Sequence, residues 1–267
     1  MQLVDIGANL THASFHDDRA DVLARARAAG VSVVVTGTTV EDSRKALALG
    51  LPMTAGVHPH HARDCGPQTI PDLRQIAQDP HVIAIGECGL DFNRNYSPHP
   101  DQEKWFVAQI ELAQELKKPL FLHSRDAFPK FSEILKSRKV QKAVAHCFTG
   151  EKEELRSYLD LGLYIGITGW ICDERRGAHL LELVKDIPKE KLLLETDAPY
   201  LTPRDLRPQP KARRNEPAFL PHIARAVAKA TGRSFDDIVS DTTRNARTFF
   251  GLNEPHPPPA AKRPLAA

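Results

Sequence analysis

The chain has 267 residues, 41% of them hydrophobic and 26% charged, with a formal net charge of +2. That is the composition of an ordinary globular protein. The near-neutral balance excludes a global field for bulk nucleic-acid binding, so any recognition of anions must come from a local cluster.

From the N-terminus, MQLVDIGANLTHASFHDD lacks the basic and apolar regions of a secretory signal, and no later stretch approaches the ~20 apolar residues of a membrane span. Short apolar, β-branched runs then recur along the chain: 3–6, 31–37, 53–57, 82–87, 120–123, 143–147, 164–168 and 192–196. Continuous apolar runs predict strands buried on both faces. Amphipathic stretches separate them. DDRADVLARARAAG ends in a capping glycine, PDQEKWFVAQIELAQELKK runs from proline and acids to lysines, and EKEELRSYLDLG repeats the pattern. Eight strands alternating with helices predict a (β/α)₈ barrel, a TIM barrel of metal-dependent hydrolase type. A doubly wound sheet would want a glycine-rich phosphate loop after the first strand, and DIGANL has no GxGxxG.

After the eighth run comes a Pro- and Arg-rich loop, PYLTPRDLRPQPKARRNEP, and then two extra C-terminal helices, PAFLPHIARAVAKATG and SFDDIVSDTTRNARTFFG. Ser234 and Asp237 open the second with a capping-box pattern. One domain over 1–252 is expected, followed by a Pro/Ala-rich tail, 253–267, of disordered composition. The four cysteines, Cys65, Cys88, Cys147 and Cys172, form no CxxC pair, which predicts reduced thiols in a cytoplasmic protein.

Barrel active sites sit at the C-terminal strand ends. Those ends read Asp5, Thr36, His58, Glu87, His123, His146, Thr168 and Asp197. Glu87, His123, His146 and Asp197 are metal-ligand types from four distant strands brought to one mouth. Imidazole with carboxylate suits Zn²⁺, Mn²⁺ or Fe²⁺, whereas Mg²⁺ prefers oxygen. Few protein ligands leave open positions, as in catalytic sites, where a bound water becomes a nucleophile. At the rim, the segment after strand seven carries Arg175 and Arg176, and the loop after strand eight carries Arg204, Arg207, Lys211, Arg213 and Arg214. Guanidinium groups in that number beside a metal site predict an anionic, phosphorylated substrate. Trp170 is placed either to stack a base or to pack beneath its loop. In HPHH only His58 is expected at the site, with His60 and His61 on the surface. Strand alternation should turn Cys88 and Cys147 outward as buried thiols.

The segments DIGANLT, TAGVHPH, AIGECGLDFNRN, FLHSRDA, HCFTG, YIGITGWICDERRG, LLLETDAPYLTPRDL and RRNEPAFLPHI together resemble the TatD-type metal-dependent deoxyribonucleases of the amidohydrolase-like barrels. The resemblance implies a nuclease on DNA, a 3′→5′ exonuclease preferring single strands, with RNA as a further substrate and a role in DNA repair or breakdown. It implies Mg²⁺ as the usual divalent ion, with Mn²⁺ or Zn²⁺ as alternatives, and a monomer that acts on DNA 3′ ends without a membrane partner. By position it matches Glu87, His123, His146 and Asp197 to metal and catalytic roles, Glu87 and Asp197 above all. His58 and Glu216 match further active-site positions, and Arg175, Arg176, Arg204 and Arg214 are the candidate substrate contacts.

Many relatives carry DxHxH at the first strand, where two histidines hold one of two metals. Here Gly7 and Asn9 stand instead, so one strong metal site is expected, with Asp5 and Asn9 giving weak second-metal or polar support. Two other readings stay open: an ester or amide hydrolase such as an aminoacyl-tRNA deacylase, and a non-catalytic nucleic-acid-binding barrel.

Overall fold

The computed structural model describes residues 2–210 and 212–252. Lys211 and the 253–267 tail lie outside the described residues.

Eight strands follow one another around a single sheet: β1 (Leu3–Ala8), β2 (Val31–Val35), β3 (Met53–Ala55), β4 (Val82–Asp91), β5 (Leu120–Arg125), β6 (Ala143–Ala145), β7 (Tyr164–Ile167) and β8 (Leu192–Leu194). Every neighbouring pair is parallel. The seam between first and last strands is closed just beyond β8, where Ala8 bridges Ala198. There Asn9 N donates to Ala198 O at 2.7 Å and Asp197 N donates to Gly7 O at 2.9 Å. The closure therefore carries Asp197 and Asn9 to the mouth together. This is the expected (β/α)₈ barrel.

The helices between the strands are α1 (Arg19–Ala28), α2 (Val40–Leu47), α3 (Thr69–Ile76), α4 (His99–Leu116), α5 (Lys130–Ser137), α6 (Lys152–Asp160) and the single turn α7 (Leu180–Leu183), followed by α8 (Leu220–Thr231) and α9 (Phe235–Phe250). Period-2 alternation divides the strands. Val4, Ile6, Val34, Ala84, Phe121, Val144 and Leu193 fill the barrel interior, and Ala246, Phe249 and Phe250 of α9 pack against that cluster. The opposite faces join the larger core beneath the helices. Fully burying one such side chain contributes about 1.5–3 kcal/mol. The α9 N-terminus has the expected cap: Asp237 N donates to Ser234 Oγ at 3.0 Å.

β4 differs from its sequence reading. It runs four residues past Glu87, because its last residues pair with β5 as far as Asp91 opposite Arg125. Gly86 and Gly89 make this possible. Both have φ near +140°, and a Cβ at Gly89 would stand 1.9 Å from the His123 carbonyl oxygen. Only glycine lets the two strands approach so closely there.

Candidate active site at the barrel mouth

A cleft of about 1420 Å³ opens at the C-terminal ends of the strands. At its floor the Glu87 carboxylate meets three imidazoles. Its Oε1 lies 2.7 Å from His146 Nε2, 3.1 Å from His123 Nδ1 and 3.2 Å from His58 Nε2. Burial opposes ionisation of Glu87, yet the positive potential of His146 and the hydrogen bonds around it hold the group well below the usual carboxylate range.

Each imidazole has a second partner that decides its role. His146 Nδ1 faces Glu195 Oε2 at 3.2 Å, and His123 Nε2 faces Asp91 Oδ2 at 3.3 Å. A carboxylate behind a ring takes the N–H and leaves the opposite nitrogen free to ligate, which is how metal-binding histidines are usually oriented. His58 is arranged otherwise. Its Nδ1 accepts from His60 N at 3.1 Å, and burial lowers its pKa to about 4. The neutral ring thus carries its proton on Nε2 and donates it to Glu87. Although the donor atoms of His58, Glu87 and His123 all lie within 4.8 Å of one another, this tautomer makes His58 a hydrogen-bond donor. His146 Nε2 meets the same Glu87 oxygen, so His123 and His146 both share Glu87 and each has a carboxylate behind its ring.

Asp197 lines the same cleft. Asn9 Nδ2 donates to its Oδ1 at 3.0 Å. Burial pushes the Asp197 carboxyl up to about 8, and the charges of Glu87 and Glu195 add to the effect against the attraction of His146. A buried pocket that gathers three carboxylates and holds one of them against ionisation suits a divalent cation, and the donor set of carboxylate and imidazole fits one.

The first strand presents no histidine at positions 7 and 9. A Cβ on Gly7 would stand 2.8 Å from both Glu195 Oε2 and Phe121 Cζ, so the space is filled. Asn9 is committed to Asp197. Asp5 is fully buried and does not line the cleft: its carboxylate accepts from Thr196 N at 2.9 Å and Thr196 Oγ1 at 2.5 Å. Burial raises its pKa to about 7.

The rim only partly follows the sequence reading. Of the candidate substrate contacts, His58 and Arg176 line the cleft. Arg175 pairs with Asp173 at 3.4 Å, and Arg204 with Glu174 at 3.2 Å and Asp173 at 3.6 Å. Arg214 and Glu216 belong to a separate network. Glu216 accepts from Arg25 at 2.7 Å and from Arg214 at 3.0 Å, while Arg214 also reaches Asp18 at 2.6 Å. That network ties α1 to the segment before α8, outside the cleft. Acids at Asp173, Glu174 and Asp18, distant in sequence from most of these arginines, take up their charge.

Sequence reading missed other cleft residues. Arg19, Lys45, Arg94 and Arg125 line it, as do Tyr96 and Tyr200, which are 53% and 51% exposed. His60 is not a surface residue: its Nε2 lies 2.7 Å from Asp91 Oδ2. The 3₁₀ turn after β3, Pro59–Asp64, folds it back over β4. Cys88 is buried as expected, but Cys147 lines the cleft. A φ of +45° at Cys147 breaks strand alternation just past β6. Trp170 lies at the rim, with Arg176 5.4 Å above its ring. GLD after Glu87 and ETD before Asp197 were the available signals for Asp91 and Glu195.

A parallel eight-stranded barrel with a carboxylate–imidazole cluster at its mouth has the architecture of a barrel hydrolase whose donor groups suit a divalent metal. Residues 4–251 match the family model described as TatD related DNase. The chain is 51% identical over 259 residues to a Klebsiella pneumoniae protein named 3′-5′ ssDNA/RNA exonuclease TatD, covering 94% of this chain and 98% of that one. It is 53% identical to the protein of the same name from Erwinia amylovora, covering 94% and 100%. Among solved structures, a TatD family hydrolase from Entamoeba histolytica superposes with a TM-score of 0.86 at 28% identity, covering 94% of this chain and 98% of that one. A TatD homologue from Escherichia coli superposes with a TM-score of 0.85 at 26% identity, with the same coverage. The chain belongs to the TatD-related DNase family.

Proposed function

We propose that the protein is a Mg²⁺-dependent 3′→5′ exonuclease that hydrolyses phosphodiester bonds of single-stranded DNA, with RNA as a second substrate. The observation that carries this reading is Glu87 at 2.7–3.2 Å from three differently anchored imidazoles. Relatives named as 3′-5′ ssDNA/RNA exonucleases at 51% and 53% identity over nearly the whole chain support the substrate class.

Glu87, His123 and His146 would hold one divalent ion. When bound it supplies Lewis acidity toward the scissile phosphate and acidifies a water. Asp197, fixed by Asn9 and ionised once a cation's charge offsets its burial, would orient the attacking water and take its proton. His58 keeps Nε2–H directed at Glu87 and steadies that carboxylate. Arg176, Arg125 and Arg94 at the rim receive phosphates, which position the strand without reading its sequence. Tyr96, Tyr200 and Trp170 offer ring faces to unpaired bases, at about 1–3 kcal/mol per stacked base. A duplex presents its bases to each other and leaves these rings unused, which favours single strands.

With Gly7 closed to a side chain and Asn9 engaged, one strongly bound Mg²⁺ or Mn²⁺ per chain is the expected content. The four free thiols suit the reducing cytoplasm, and a monomer acting in DNA repair or breakdown is the expected setting. The test is Mg²⁺-dependent release of nucleotides from 3′-ended single-stranded DNA, with aminoacyl-tRNA assayed alongside. Glu87→Ala and Asp197→Ala should each abolish release. Full activity in either variant, or deacylation without nucleotide release, would refute the assignment.

A further inference from the structure

A second group of metal-donor side chains lies away from the Glu87 cluster. Cys172 ends the 3₁₀ turn Gly169–Cys172 after β7, Asp205 lies in the loop after β8, and His222 is the third residue of α8. Their sulfur, oxygen and nitrogen atoms all lie within 4.8 Å of one another. His222 Nε2 is 2.7 Å from Asp205 Oδ1. Cys172 is buried, while His222 and Asp205 keep 26% and 57% side-chain exposure. The group is thus closed on the sulfur side and open to solvent on the carboxylate side. None of these three residues lines the catalytic cleft.

We propose that Cys172, Asp205 and His222 form a second metal site, a thiolate–imidazole–carboxylate tripod for a soft divalent cation of the Zn²⁺ class, with water completing a tetrahedron. Thiolate with imidazole selects Zn²⁺ over Mg²⁺, which prefers all-oxygen shells. The Zn–S bond is about 2.3 Å and the Zn–N and Zn–O bonds about 2.0–2.2 Å, so tetrahedral donors stand roughly 3.5 Å apart. Rotation of the two partly exposed side chains closes the present spacing.

Charge and protons balance. In the metal-free state the Cys172 thiol is kept protonated, first by burial and then by the neighbouring Asp205 charge, and the group carries one negative charge. Binding Zn²⁺ releases the thiol proton to solvent, and the imidazole proton moves from Nε2 to Nδ1. The loaded site is neutral, which suits the burial of its sulfur side.

Its consequence is mechanical. The three ligands come from the segments after β7 and β8 and from α8, so one ion clasps them together. Trp170 and Arg176 of the cleft rim flank Cys172 in the first of those segments.

The test uses the full chain after chelation, titrated with Co²⁺ as a spectroscopic stand-in for Zn²⁺, then with Zn²⁺ itself by calorimetry. A thiolate-to-cobalt charge-transfer band should appear in the wild-type protein and in Cys147→Ser, whose sulfur lies in the catalytic cleft. It should also persist in Glu87→Ala. Cys172→Ser and His222→Gln, checked for folding by circular dichroism, should lose the band and weaken one Zn²⁺ binding event by at least about tenfold. Absence of the band in wild type, its survival in Cys172→Ser, or its loss in Cys147→Ser would overturn the proposal and leave the three residues as a hydrogen-bonded loop anchor. Because Glu87→Ala removes the catalytic cluster and not this one, the result is independent of the nuclease reading.

Discussion

The mouths of β1 and β4 occupy equivalent places in the barrel and have opposite chemistry. At β4, Glu87 and Asp91 face the cleft and meet the rings of His58, His60, His123 and His146. At β1, Asp5 turns to Thr196, Gly7 carries no side chain, and Asn9 holds Asp197. A ligand-type residue at a strand end becomes a ligand only when the backbone aims it inward and no neighbour has already engaged it. Gly86 and Gly89 provide the aim at β4, and Glu195 with Phe121 blocks the place at β1.

Four substitutions test this contrast. The largest effect is expected for Glu87→Gln, which keeps the volume and removes the charge that three imidazoles converge on. Metal catalysis is worth several kcal/mol, so turnover should fall roughly 10³-fold or more, measured by steady-state nucleotide release. A loss below tenfold would place the ion elsewhere. Asp91→Asn should come next. It leaves His123 and His60 in place but weakens the carboxylate behind them, and metal affinity should drop about 10–100-fold by Mn²⁺ titration. An unchanged affinity would show that His123 is oriented without Asp91.

Gly7→Ala probes the closed position at β1. The added methyl presses on Glu195 and Phe121, and overpacking of this kind costs about 1–3 kcal/mol in denaturant unfolding. Wild-type stability in that variant would mean that the space is open and a second ligand there is feasible.

Asp5→Asn should have its effect on pH dependence. Burial raises the Asp5 pKa from 3.8 to about 7, so the native state holds a proton that the unfolded chain releases. Stability therefore falls as pH rises between about 4 and 7, with an upper limit near 4 kcal/mol for this group. The asparagine variant should show a flatter stability–pH profile over that interval. An unaltered profile would assign the slope to other groups.

The sequence by itself determined the barrel, because continuous apolar runs separated by amphipathic segments can bury both faces of their strands in few other ways. It also exposed Glu87, His123, His146 and Asp197, since the chain places each at the end of such a run. What it left open was direction and pairing. Whether Asp5 or Asp91 faced the cleft depended on the Thr196 contacts that engage Asp5 and on the extra length of β4 paired with β5. Arg204 and Arg214 looked free in a Pro-rich loop, yet tertiary neighbours at Asp173, Glu174 and Asp18 pair them, while Arg175 is taken up locally by Asp173. Arg19 of α1, Lys45 of α2, Arg125 at the end of β5, and Arg94 and the two exposed tyrosines of loops reached the cleft from segments that carry no metal-site signal. Local pattern sets which elements form, because it reports their burial. The partner of a charged side chain is set by residues far along the chain, and only the closed barrel brings them within hydrogen-bond distance.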